Sequence, residues 1–252
     1  MPDPASASPF AWSLALGSLA ALANVVGGLV VLARKEWNER FLKYFVALGA
    51  GFMLAATLLS MLPASLALQA DAPLLILGGY FLVHFFEHTL APHFHFGEEV
   101  HGEEMLSPAA SLSAVLGLAT HTFFDGVSIA AGFLVSLPLG ILIFFAVILH
   151  KLPEGFTVAS ITLASGRSKL EAFASACGLA AATLLGVVLT NRLSGAVVWA
   201  LPLSTGVTLY VAATDLMPEV NEERGVRMGL VAFLGVALYW ASEHALEALG
   251  LS

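Results

Sequence analysis

The chain has 252 residues, of which 58% are hydrophobic and only 11% charged, with a formal net charge of −8. Soluble domains carry roughly 25% charged residues, so a soluble globular fold is set aside, and the negative balance argues against nucleic acid as a partner. The single cysteine, Cys177, excludes an internal disulfide framework and a Cys-rich metal cage.

The opening residues "MPDPASASP" lack the basic segment of a signal peptide. The apolar run that follows, 10–33, is long enough to cross a bilayer, which takes about 20 residues. Seven further runs of this kind follow, at 41–67, 73–91, 108–134, 139–165, 170–190, 193–217 and 226–249, joined by short connections rich in Gly, Pro, Asn and charge. The expectation is an all-α polytopic membrane protein, with 1–252 as one transmembrane domain of eight helices.

Basic residues set the orientation. Arg34, Lys35, Arg40 and Lys43 follow the first span, Arg167 and Lys169 the fifth, and Arg224 and Arg227 the seventh. With eight spans, all these connections fall on one side, which the positive-inside rule assigns to the cytoplasm. Both termini then face away from it, as expected for a multi-pass protein of the cell membrane. The connection between spans three and four, 92–107, belongs to the cytoplasmic side as well. It carries His93, His95 and His101 among four glutamates and no basic residue. It reads either as a solvated acidic loop or as a loop that captures metal weakly.

The two central spans hold the ionisable residues that need a reason. "HTFFDG" places His121 and Asp125 four residues apart, and "HKLPEG" does the same for His150 and Glu154. On a helix, that spacing puts both side chains on one face, one turn apart. Each pair lies near the middle of its span, so two imidazoles and two carboxylates can meet at one depth in the bilayer. Ionisable residues inside spans line a pathway or a site. A nitrogen and oxygen set without thiolate suits a borderline divalent metal such as zinc, iron or manganese, held loosely enough to be released. Pro153 removes a backbone donor and frees the carbonyl of Leu149; with Gly126 and Gly155 it marks either a kink beside the site or simple packing. The remaining polar residues of spans three and eight, in "HFFEHTL" (His84, Glu87, His88) and "WASEHAL" (Glu243, His244), share a Glu-His pair. That is a faint sign of the inverted repeats common in transporters.

These motifs resemble the fourth- and fifth-helix signatures of the ZIP (Zrt/Irt-like) family of divalent-metal transporters. The resemblance extends to the eight spans, the outward termini and the histidine-bearing loop. It implies that His121, Asp125, His150 and Glu154 form the central metal site. Thr122 and Lys151 match positions that supply a second, adjacent metal in binuclear members. "GFML" resembles the second-helix motif whose methionine, here Met53, lines the pathway, and "YVAATDLMPE" the seventh-helix motif, which places Asp215 near the site. The family also implies a possible homodimer.

The departures are Thr122, Lys151 and an alanine near Ala181, where binuclear members carry amides or acids. They predict a single transported metal, with Lys151 as a built-in counter-charge beside Asp125, Glu154 or Asp215. The expected function is transport of zinc, or of cadmium, iron(II) or manganese, toward the cytoplasm. The alternative is an intramembrane metal-dependent hydrolase, although the H-E-x-x-H signature is absent.

Overall fold

The computed structural model of the protein describes residues 8–33, 39–90, 108–222 and 226–251. No strand occurs among them. Eight helical rods follow one another: α1 (Pro9–Ala33), α2 (Glu39–Ala56, Thr57–Met61 and Leu62–Leu68), α3 (Ala72–Leu90), α4 (Pro108–Val135), α5 (Leu137–Ala164), α6 (Lys169–Arg192), α7 (Ser194–Ala196, Val197–Tyr210, Val211–Leu216 and Met217–Glu222) and α8 (Arg227–Ala248). Seven are long and apolar enough to cross a membrane by themselves; the other, α3, carries His84, Glu87 and His88 toward its end. The eight-helix expectation stands, with boundaries moved by one to a few residues. Two connections are closed locally. Ser136 caps α5 by accepting from the Leu139 amide, and Ser168 forms a capping box with Glu171 at the start of α6. The loop carrying His93, His95 and His101 lies outside the described residues.

Four prolines fall in the interior of these rods, and the chain handles them in two ways. α5 continues as regular α-helix through Pro153, and α7 does so through Pro202, so no interruption develops at either. α2 and α7 instead widen into π-helix, over Thr57–Met61 ahead of Pro63 and over Val211–Leu216 ahead of Pro218. A proline ring crowds the carbonyl four residues back and offers it no donor. Those carbonyls, of Leu59 and Thr214, lie inside the widened turns. The sequence expectation ended the seventh span at 217; the widened turn carries the helix past Pro218 to Glu222.

Lipid provides no hydrophobic drive for helices to associate, so close backbone packing through small residues must supply the contact. The closest approaches come in reciprocal glycine crossings. Gly27 and Gly155 join α1 to α5, Gly126 and Gly186 join α4 to α6, Gly51 and Gly235 join α2 to α8, and Gly79 and Gly206 join α3 to α7. At each, a Cβ would run into the facing backbone. The crossings sort the rods into two groups of four. α1, α4, α5 and α6 form one, with α1 also packed on α6 and α4 on α5; α2, α3, α7 and α8 form the other. The groups meet mainly where α2 lies on α5 and α4 on α7. At the first of these contacts, a Cβ on Gly49 would find Leu149 at an ordinary 3.5 Å.

The crossings also bring out an inverted repeat. Exchanging α1 with α6, α2 with α7, α3 with α8 and α4 with α5 maps every crossing onto another crossing. It carries Pro63 onto Pro218, and the Glu-His pair of α3 onto that of α8.

Candidate metal site

α4 and α5 occupy the middle of the bundle. Of their most apolar stretches, 67% and 61% of residues are buried, against 17% for α8. The faces they turn to one another carry all six ionisable or hydroxyl residues singled out in the two motifs. His121, Thr122, Asp125, His150, Lys151 and Glu154 are each no more than 3% exposed. Gly126 and Gly155 explain how such a cluster is held. Each follows a site carboxylate and lets a neighbouring backbone, at Thr183 of α6 and Asn24 of α1, press directly against the helix behind it. These glycines therefore serve packing rather than kinking.

Lys151 lies at the centre. Its ammonium is 2.6 Å from Asp125 Oδ2 and 2.5 Å from Glu154 Oε2, and it donates to Thr122 Oγ1 at 3.2 Å. An ammonium has three protons to give, and each finds an acceptor. A buried charge is tolerated only when paired and hydrogen-bonded in this way. Thr122 passes its own proton on, donating to Glu154 Oε1. The two Glu154 oxygens thus have separate duties: Oε2 holds Lys151, while Oε1 takes Thr122 and lies 3.3 Å from His121 Nε2.

His150 is oriented by the backbone. Its Nδ1 donates to the Ala146 carbonyl at 3.1 Å. In the neutral ring Nε2 then presents a lone pair, 3.4 Å from Asp125 Oδ2. Such an outer hydrogen bond fixes the tautomer of metal-ligating histidines. Ligand atoms of His121, Asp125 and Glu154 lie within 4.8 Å of one another, a spacing that can hold one metal ion, and His150 adjoins this trio through Asp125. His121 Nδ1 is buried and has no hydrogen-bond partner among the described residues.

The other sequence-predicted residues fall elsewhere. Met53 is fully buried on α2, its carbonyl accepting from Thr57 at the start of the widened turn. Asp215 lies in the widened turn of α7, only 2% exposed, and faces Glu87 of α3 with the Tyr210 phenol alongside. Lys151 therefore sits beside Asp125 and Glu154, two of the three acids expected for it. Glu243, the repeat counterpart of Glu87, accepts from Tyr239 at 2.9 Å, and Tyr239 in turn bonds Ser60 of the α2 widened turn at 2.6 Å. His88 and His244 each donate to a carbonyl one turn back, those of His84 and Trp240. An open cavity of about 310 Å³ separates the two helix groups beside the α4–α5 turn, lined in part by Ser60, Ser136, Leu142, Glu243 and Glu247. The motif reading passed over Asn24, Tyr210 and Tyr239. An amide in the apolar run of the first span was the available signal for Asn24.

The ZIP zinc transporter family model matches residues 95–239, more than half of the chain and all of the α4–α5 cluster. The chain belongs to the ZIP family. Among its relatives are the zinc transporter ZIP13 homolog of Drosophila melanogaster, 29% identical over 147 residues, zinc transporter ZIP13 of Rattus norvegicus, 34% identical over 121, and zinc transporter SLC39A7 of Rattus norvegicus, 31% identical over 148. The matches cover 54%, 44% and 53% of this chain and 41%, 34% and 32% of those relatives. The chain therefore spans well under half the length of the ZIP proteins it is compared with. All three bear the names of transporters, not of enzymes.

Proposed function

We propose that the protein carries divalent transition-metal ions across a membrane, zinc foremost, with cadmium, iron(II) and manganese as further substrates. The observation that carries this reading is the buried α4–α5 cluster of imidazoles and carboxylates, of which His121, Asp125 and Glu154 can share one ion. The family relationship and the transporter names of its relatives support it. In this reading His121, Asp125, His150 and Glu154 are the ligands, and Lys151 with Thr122 fills the place of a second ion, so that one metal moves at a time. The cluster is closed to solvent from both sides, as suits a site presented to each side in turn by the rocking of one helix group against the other. Met53 and Asp215 line the route, and the His93, His95 and His101 loop collects ions. Direction toward the cytoplasm and outward termini at the cell membrane follow from the family resemblance and the placing of the basic residues. The hydrolase alternative has less chemistry left to it: Asp125 and Glu154 are both engaged by Lys151 and the imidazoles, leaving neither carboxylate of the cluster spare as a base.

The test is uptake of each metal into proteoliposomes holding the purified full chain, with Glu154→Gln as control. Zinc uptake by the wild type and its loss in the variant are expected, together with one bound ion per chain on titration. Uptake undiminished by Glu154→Gln would overturn the site, and two tight midplane sites would overturn the single-ion reading.

A further inference from the structure

The position of Lys151 has a consequence for the half of a transport cycle in which nothing is carried. Asp125 and Glu154 contribute two negative charges and Lys151 one positive charge, all in direct contact. With neutral imidazoles the empty cluster carries −1, and a dication brings it to +1. The ion does not have to evict the lysine, because Lys151 uses Glu154 Oε2 and His121 faces Oε1. Without the lysine the same two states would carry −2 and 0. The desolvation cost of a charge rises with its square. Lys151 therefore gives the loaded and empty passages equal burdens, whereas its removal would leave the loaded passage neutral and make the empty one four times as costly in this simple scaling.

We propose, resting on the carrier reading above, that Lys151 is the positioning residue that speeds the unloaded return. It acts as a tethered counter-charge that lets the protein deliver metal net, without a counter-transported ion. It touches the ligand carboxylates and acts on the metal only through them.

The experiment compares two fluxes of isotopically labelled zinc in proteoliposomes of the full chain: net uptake into metal-free vesicles, and exchange into vesicles preloaded with zinc. Exchange needs only loaded passages, whereas net uptake needs the empty return. Wild-type protein is expected to show the two rates within about threefold of one another, and Lys151→Met to show exchange outrunning net uptake by about tenfold or more. Lys151→Arg, which keeps the charge, should restore the wild-type ratio. That recovery would follow charge rather than shape, which a purely structural lysine does not predict.

An unchanged ratio in Lys151→Met overturns the proposal. So does a wild type whose own exchange already exceeds net uptake tenfold, a result that needs no variant to fold. Glu154→Gln separates this from the underlying reading: if it leaves both fluxes intact, the site is misplaced, whatever Lys151 does.

Discussion

The two helix groups are joined by the same kind of glycine crossing, yet they spend it differently. In the α1, α4, α5 and α6 group, the rods stay α-helical throughout, even across Pro153, and the crossings back a cluster of charges that must keep their distances. In the α2, α3, α7 and α8 group, two rods widen at prolines. Several of their polar contacts are hydroxyl links, such as Ser60 with Tyr239, Ser65 with Thr205 and Tyr80 with Thr214, beside the Asp215–Glu87 approach and the Gln69 amide on the Val198 carbonyl. A buried ion cluster tolerates little movement because lost pairing leaves naked charge in a low dielectric. Hydroxyl links cost far less to rearrange. One group thus carries the charge cluster, and the other is joined by contacts that cost less to rearrange. π-Widened turns often accompany function, and here they fall in the group that lacks the site.

The largest effect should come from stripping a charge out of the rigid group. Lys151→Met removes the one ammonium that neutralises Asp125 and Glu154 and leaves two buried carboxylates without it. Breaking a buried pair from one side costs about 3–5 kcal/mol, so thermal unfolding in detergent should occur at markedly lower temperature. Adding Glu154→Gln should recover most of that loss, because one of the two uncompensated charges goes with it. A double variant no more stable than the single one would mean that the ion pair does not carry the cost.

Next in size is the crossing behind the site. A Cβ on Gly155 would lie 2.7 Å from both the carbonyl carbon and Cα of Asn24, with no flexible side-chain tip available to move aside. Gly155→Val should therefore cost at or above the top of the usual overpacking range of about 1–3 kcal/mol, seen as early unfolding or loss of monodisperse protein. Gly78→Ala is the matched control in the other group. Its new methyl would find only Leu203 Cδ1, at 3.9 Å, so stability should hold or rise slightly as helix propensity improves. Equal losses in the two variants would show that the crossing is not what orders α1 on α5.

How much of this was legible beforehand depends on how local the signal is. His121, Asp125, His150 and Glu154 announced themselves through spacing alone, since four residues on a helix fix a shared face. Lys151 stood out for its cost in an apolar run. Which acids it meets was not legible, because Asp215 reaches its place through the docking of α7 on α3, a long-range event with no local pattern. Proline misled in a different way. A proline in a span reads as a stop or kink, and nothing local says that Pro153 and Pro202 are absorbed while the chain widens ahead of Pro63 and Pro218. The inverted repeat showed in sequence only as two Glu-His pairs. Its real basis is backbone crossings at glycines, which need no wider sequence likeness between the halves.

The smallest effect concerns the α2, α3, α7 and α8 group. Tyr239 is fully buried on α8, yet its hydroxyl spans from Ser60 in the widened turn of α2 to Glu243 beside the inter-group cavity. The ring itself packs edge-on against Phe52. Tyr239→Phe keeps the ring and removes both hydrogen bonds, which should cost about 1–2 kcal/mol, at about 1 kcal/mol net for each and with Ser60 free to find another acceptor. Ser60→Ala removes only the shared bond and should cost less, and the two together little more than Tyr239→Phe alone. Thermal unfolding of the single and double variants measures that coupling. Fully additive losses would mean the hydroxyl link contributes nothing and that α2 and α8 are held by the Gly51–Gly235 crossing alone. In that case the contrast between a charge-locked group and a hydroxyl-linked one would reduce to the charges.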